Sequence, residues 1–306
     1  MTGGLATGWL EDHVRTTGLP VLTCVADEID AEAVFAYRPD WVVVDSYRLP
    51  AASASRLGRS VRVLAIVDGD HRGIEAALYL DQNLGAESIW RPEDIRDRFI
   101  CGATFALVRQ AILDARRPEP WRAVGDPPTV LTFMGGTDAT GANLSVAESL
   151  ASIDEACALT MVAPVDQHRS LHTILEGRAG VRLVEPTPSL PTMMGEADVI
   201  VSATGTSAWD ICTLGVPAVL VAVADNQHAS LSEAISRGFV LGIDYVDPAE
   251  VVRSCGPLVA GLLRKPDLRR SLSDTCLALY DGEGARRVIE VMETQLHAGR
   301  EEGVRP

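Results

Sequence analysis

Small and hydroxyl-bearing residues gather where an apolar run stops. Val199–Ile200–Val201 runs into Ser202–Ala203–Thr204–Gly205–Thr206–Ser207, a helical stretch then spans Ala208 to Leu214, and Gly215 ends it. Pro217 opens the next apolar run, which extends to Val223. A strand that empties into such a loop and then a helix presents backbone N–H groups to an anion. Gly lets a phosphate oxygen reach the backbone, and Ser and Thr hydroxyls add donors. The segment reads as a diphosphate cradle, with Thr204, Gly205, Thr206 and Ser207 facing the phosphates.

A second loop of the same kind follows Val130–Met134, namely Gly135–Gly136–Thr137–Asp138. A GG pair alone can simply permit a tight turn. Two such loops at the ends of two strands of one domain strengthen the phosphate reading, because ligands bind outside the carboxyl ends of parallel strands. Neither loop is a Walker motif or a G-x-G-x-x-G fingerprint, so ATP hydrolysis and NAD redox chemistry lack support. Asp210, one turn into the helix, could accept two hydrogen bonds from a ribose diol or could simply complement the helix N-terminus. Asp225–Asn226–Gln227–His228 places polar groups at another strand end, where a helix N-cap is the alternative.

Nearer the N-terminus, Asp45–Ser46–Tyr47 and Asp68–Gly69–Asp70–His71 close apolar runs in the same way. An Asp-x-Asp pair can hold a divalent cation, yet Asp and Gly also dominate ordinary turns, and no metal site is assigned. His71 is a candidate proton carrier. His168 and His172 have i, i+4 spacing but no evident third zinc ligand. No G-x-S-x-G elbow and no Ser–His–Asp ordering is present.

These loops need strands and helices to hold them. Val21–Val25, Trp41–Asp45, Val61–Val67 and Ala77–Leu80 read as strands without polar alternation, as expected when helices cover both faces of a parallel sheet. A helix is predicted over Ala103–Ala115, followed by a stretch from Arg116 to Pro128 with four prolines. The alternation then restarts with strands at Val130–Met134, Ala158–Ala163, Val181–Val184, Val199–Val201, Ala218–Val223 and Phe239–Ile243. Asn143–Ser152 and Ser230–Arg237 are helical in period. The pattern predicts an α/β chain of two Rossmann-like domains facing a cleft: 1–116, a linker at 117–128, a second domain at 129–296 and a polar tail at 297–306.

The chain has 306 residues, 47% hydrophobic and 23% charged, as expected of globular domains. A net charge of −15 argues against nucleic acid or an anionic membrane as partner. Lys265 is the only lysine. Six scattered cysteines without a CxxC pair suggest buried free thiols in a reducing compartment. No apolar run approaches the length of about 18 residues that a bilayer requires, and no signal peptide is visible, so a cytoplasmic protein is expected.

Six blocks, in order, resemble the UDP-sugar hydrolases of the pseudaminic acid pathway and the related spore-coat polysaccharide proteins. They are VVVDSY at Val42–Tyr47, LDQNLG at Leu80–Gly85, CGATFALVR at Cys101–Arg109, FMGGTDATGANL at Phe133–Leu144, the TSAWD…LGVPAVLV…ADNQ segment, and DGEGARRV at Asp281–Val288. The resemblance spans roughly Trp41 to Val291. It implies a two-domain GT-B architecture, similar to the enzyme that adds N-acetylglucosamine in peptidoglycan synthesis, with UDP on the second domain. Gly135, Gly136, Thr206 and Ser207 would lie near the diphosphate and Asp210 at the ribose, where the family usually has Glu. Asn226 and Gln227 would face the sugar, with Asp225 beside them, and Tyr47 would reach across from the first domain. The implied reaction is attack of water at the anomeric carbon with UDP departing, without metal or cofactor. Transfer of the sugar to another acceptor is the alternative.

In one respect the chain departs from the family. Its members open with a strand and a G-x-G-H-x-x-R loop whose histidine is the proposed base. Here Thr7–Thr17 matches the helix after that loop and Val21–Val25 the second strand, so the loop has no counterpart, and His13 on the presumed helix is no obvious substitute. Three explanations stay open: a start set too far downstream, another base such as His71 or Asp45, or binding of a nucleotide sugar without hydrolysis.

Overall fold

In the computed structural model, residues 18–20, 29–117, 127–136, 138, 140–244 and 247–301 are described. The helix expected at Thr7–Thr17 with His13, the strand expected at Val21–Val25 and most of the 117–128 linker lie outside them. The chain packs as two compact units, one from residues up to Phe105 together with those from Arg286 onward, the other from Ala106–Ala285.

The first unit holds α1 (Ala31–Phe35), β1 (Trp41–Val44), α2 (Ala51–Gly58), β2 (Arg62–Ile66), β3 (Leu78–Asp81), α3 (Glu93–Arg96) and β4 (Phe99–Cys101). Its strands are parallel and ordered β1-β2-β3-β4, with Val42 opposite Val63, Leu64 opposite Leu78 and Asp81 opposite Cys101. Val63, Ala65, Val67, Ile74 and Tyr79 form its core with Ala54 and Leu57 of α2. β4 has no counterpart in the sequence reading, because a three-residue, half-buried strand gives no periodic signal.

The second unit runs α4 (Gln110–Ala115), β5 (Thr129–Phe133), α5 (Ala142–Ala151), β6 (Ala158–Val162), α6 (His168–Ile174), β7 (Val181–Val184), α7 (Leu190–Glu196), β8 (Val199–Ala203), α8 (Thr206–Leu214), β9 (Ala218–Ala222), α9 (His228–Ser236), β10 (Leu241–Asp244), α10 (Pro248–Arg264) and α11 (Pro266–Leu279). α12 (Gly284–Glu301) begins here and continues in the first unit, where Arg287 donates to the Thr104 carbonyl at 2.9 Å. The expected helix at Ala103–Ala115 is instead a single 3-10 turn at Ala103–Phe105, four residues outside any helix, and α4. Arg109, extended at φ −67° and ψ 144°, is the N-cap of α4. α4 lies so close to α7 that a Cβ on Gly195 would sit 2.6 Å from the Ala115 carbonyl oxygen, which ties α4 to the second unit rather than the first.

All six strands of the second sheet are parallel, in the order β10-β9-β8-β5-β6-β7. β8 and β9 are buried along their whole length, which explains a sequence that is apolar but for Ser202. From β5 the chain winds outward to β7, returns to β8 beside β5, and winds outward the other way to β10. β5 and β8 therefore flank the topological switch point, where the connections after two adjacent strands depart in opposite directions and leave a crevice at the carboxyl ends. The two small-residue loops are the segments that follow these two strands.

α10 packs against α5 at a repaired defect. Pro257 inside α10 has no N–H to donate. Ser149 of α5 accepts from the Gly256 N–H at 2.7 Å and donates to the Val252 carbonyl at 2.6 Å, bridging the opened turn. A Cβ on Gly256 would lie 2.5 Å from the Ser149 carbonyl oxygen, whereas one on Gly261 of the same helix meets nothing within 4 Å. Gly256→Ala is expected to destabilise the fold by about 1–3 kcal/mol through overpacking. Gly261→Ala should be neutral or stabilising by up to about 1 kcal/mol. Urea midpoints of the two variants check this; equal midpoints would contradict the α5–α10 contact.

Candidate functional site

At the switch point the two helices that follow β5 and β8 differ in one respect. The N-terminus of α5 is filled by the chain itself. Asp138 Oδ1 accepts from the Ala142 N–H at 2.9 Å and Oδ2 from the Asn143 N–H at 3.1 Å. Gln167 Nε2 donates to the same Oδ2 at 3.0 Å and its Oε1 accepts from Asn143 Nδ2 at 3.1 Å. Asp138 is buried and adopts φ +43°, an uncommon conformation for a residue with a side chain. Burial pushes its carboxyl above the usual range, against the opposing pull of these hydrogen bonds. The amides that a helix N-terminus offers an anion are thus already bound to a carboxylate. Gly135, at φ +77°, and Gly136 remain open, since a Cβ on either would meet nothing within 4 Å.

α8 has no such plug. Its N-cap is Gly205, extended at φ −157°, and among the described residues no side chain caps the helix. Gly205 and Thr206 are exposed and Ser207 half-buried. Thr204, at the end of β8, is buried, and its hydroxyl oxygen has no hydrogen-bond partner in the structure. Beside the loop, Gln227 Oε1 accepts from the Val223 N–H at 2.9 Å, which turns the amide nitrogen the other way. That nitrogen lies 3.9 Å from where a Cβ of Gly205 would be. The sequence reading puts Gln227 at the sugar; in the structure its N–H₂ lies beside Gly205.

Asp210 lies one turn further along α8. Its Oδ2 stands 2.6 Å from an Arg109 guanidinium nitrogen, the Asp side chain 9% and the Arg side chain 61% exposed. Burial raises the Asp210 carboxyl and Arg109 lowers it. The carboxylate expected at a ribose already has a partner. Arg109 closes the CGATFALVR block, but its pairing with Asp210 spans 101 positions and no spacing rule could reveal it. Asp225, Asn226 and Gln227 form a 3-10 turn that leads into α9; Asp225 is exposed, with His228 Nε2 at 3.9 Å from its carboxylate.

The remaining candidates belong to the first unit. Tyr47 is exposed beneath the Arg72 guanidinium, 5.0 Å from the ring centroid. Arg72 also donates to the Ser46 carbonyl at 2.6 Å. His71 Nδ1 is 3.7 Å from Asp70 Oδ1, too long for a hydrogen bond, and its ring meets Tyr79 edge-on. The loop that carries His71 is held by the LDQNLG block. Buried Asp81 accepts from the Gly69 N–H at 3.0 Å and pairs with Arg91 at 2.9 Å, while Asn83 Nδ2 donates to Asp68 Oδ1 at 2.7 Å. Asp45 is exposed on the loop after β1. Among the described residues no group of three or more His, Cys, Asp or Glu side chains could hold a metal ion. No described helix is long and apolar enough to cross a membrane.

No family model matches the chain. Over 243 residues it is 21% identical to the spore coat polysaccharide biosynthesis protein SpsG of Bacillus subtilis, a match that takes in 77% of this chain and spans 66% of that protein's length. Among solved structures, a MnaA–UDP co-structure from S. aureus superposes with a TM-score of 0.67 at 14% identity, covering 95% of this chain and 87% of that one. MurG of Acinetobacter baumannii gives 0.65 at 14% identity, with 95% and 90% covered. Identities this low speak for the fold, and function has to be argued from the site. The chain is similar, at 21% identity, to the spore coat polysaccharide biosynthesis protein, and its two parallel-sheet units share the GT-B fold of these solved structures.

Proposed function

We propose that the chain acts on a UDP-linked amino or deoxy sugar, and that water displaces UDP from the anomeric carbon. The observation that carries this reading is the N-terminus of α8, without a side-chain cap and at the switch point of a Rossmann-type sheet. An aligned helix presents roughly half a positive charge at that end. The unpartnered Thr204 hydroxyl and the Gln227 amide nitrogen stand beside the same turn, and both can donate to phosphate oxygens. Uracil as the base is supported by the likeness to the MnaA structure that contains UDP.

The reaction then has a physical outline. The bond between the anomeric carbon and the β-phosphate oxygen breaks, and its electron pair leaves with UDP. The N-terminus of α8 stabilises the charge that develops on that oxygen, an electrostatic contribution that needs no reorganisation. A water oxygen bonds to the anomeric carbon and releases a proton to a base, for which His71 is the candidate in the first unit. Tyr47 and Asn226 are further candidates for contacts to the reacting sugar, and Asp225 for its hydroxyls. Transfer of the sugar to an acceptor other than water is the second reading, favoured by the likeness to a solved glycosyltransferase of Rickettsia africae. Release of UDP together with free sugar from UDP-sugars supports hydrolysis. UDP released only when an acceptor is added supports transfer, and no UDP from any candidate contradicts both.

Two variants separate the two loops. At about 100 times its dissociation constant, UDP should stabilise the fold by about 2.7 kcal/mol. Gly205→Val, which the extended backbone tolerates, blocks approach to the amides and should remove most of that stabilisation. Asp138→Ala strips the cap of α5 and should cost about 1–2 kcal/mol of stability while the gain from UDP persists. The opposite pattern in thermal melts would move the phosphates to the Gly135–Gly136 loop.

A further inference from the structure

We propose that Arg109 is a phosphate-binding residue held in position by Asp210, so that this carboxylate serves the diphosphate through Arg109 and does not bind the ribose. The proposal rests on the reading that α8 takes a nucleoside diphosphate, and adds to it a cation on which the chain's choice of ligand depends.

Burial separates the roles of the two partners. Asp210 has 9% of its side chain exposed and spends one oxygen on Arg109 at 2.6 Å. Arg109 has 61% of its side chain exposed, and this is its one side-chain hydrogen bond among the described residues. A carboxylate sunk in the protein is poorly placed to receive hydroxyls from a ligand in solvent. A guanidinium has five N–H donors in a planar fork, and most of this one remain available to a phosphate.

Helix geometry sets the direction. Side chains on a helix lean toward its N-terminus, and residues four apart share a face. Asp210 therefore leans toward the turn that begins at Thr206, so the guanidinium it grips belongs to the face of α8 whose first turn no described side chain caps. From the other side Arg109 is fixed by its backbone, as N-cap of α4. α4 is fixed in turn by Arg116, which donates to the Asp281 carbonyl at 2.7 Å, and by its close approach to Gly195. A long, flexible side chain is thus tied at both ends before any ligand arrives, which lowers the ordering cost of binding.

Charge makes the cation matter. The chain carries −15 overall, so a diphosphate approaches against an unfavourable field. A helix N-terminus alone offers about half a charge, and Arg109 adds a full one that can bind two phosphate oxygens at once.

The test compares uridine, which has the ribose but no phosphate, with UDP on the full chain. UDP is followed by calorimetry and uridine by ligand-observed NMR titration. Arg109→Gln is expected to weaken UDP about tenfold or more and leave uridine unchanged, with Arg109→Lys between it and wild type. Asp210→Asn should reproduce the Arg109→Gln pattern, losing UDP affinity and keeping uridine. Cooperative thermal unfolding of each variant confirms that it folds. If Asp210→Asn weakens uridine and UDP by the same factor, the carboxylate acts on the ribose and the proposal is overturned. An Arg109→Gln variant that binds UDP as wild type does overturns it equally. A wild-type chain that binds no UDP sinks the diphosphate reading of α8 itself, a result distinct from both.

Discussion

Two helix N-termini stand at the switch point of one sheet, and the chain fills only one of them with its own carboxylate. That asymmetry is the constraint on which the functional reading depends. Asp138 occupies the amides of α5, a capping arrangement that stabilises the fold and competes with any external anion. Both helices have a glycine in the capping position, Gly141 and Gly205, but at α8 no described side chain takes the place of Asp138. Thr204 leaves a buried hydroxyl unmatched beside it, as Thr132 and Thr213 do elsewhere in the same unit.

Electrostatics follows the same division. Each unit has a buried carboxylate paired with an arginine, but the pairs are built differently. Asp81 and Arg91 are both buried, and Arg91 also donates to the carbonyls of Ala86 and Ile89 and stacks on Phe99. That pair is closed, and it pins the loop that carries His71 through the Gly69 N–H. Asp210 and Arg109 bury only the acid and leave the base facing solvent. Removing one partner of a closed buried pair strands a charge and unfolds locally. In the open pair only the loss of Arg109 leaves a buried charge without its partner, since the guanidinium is already reached by solvent.

Much of this was legible in the sequence because it is local. Unbroken Val, Leu and Ala runs mark parallel strands buried on both faces, as in Ala218–Ala222, and the half-exposed strand Val181–Val184 is also observed as read. The strand–loop–helix grammar around Gly205 is likewise a matter of neighbours in the chain. The expected break between Val201 and Ala208 proved narrower, since β8 continues to Ala203 and α8 starts at Thr206. Contacts between distant segments were not legible. Gln167 reaches Asp138 across 29 positions and Arg109 reaches Asp210 across 101, and nothing in local periodicity announces either. The helix expected over Ala103–Ala115 failed for a related reason. Its composition suits a helix, but Arg109 is held extended where it meets Asp210, and tertiary contacts override propensity.

The central claim is that backbone amides at the start of α8, and not those of α5, grip the diphosphate. Amide NMR of the full chain during a UDP titration tests it most directly. The account predicts that the resonances of Gly205, Thr206 and Ser207 move and gain protection from exchange, while those of Ala142 and Asn143 stay where they are. Shifts centred on Ala142 and Asn143, with Gly205–Ser207 unmoved at saturation, would contradict it.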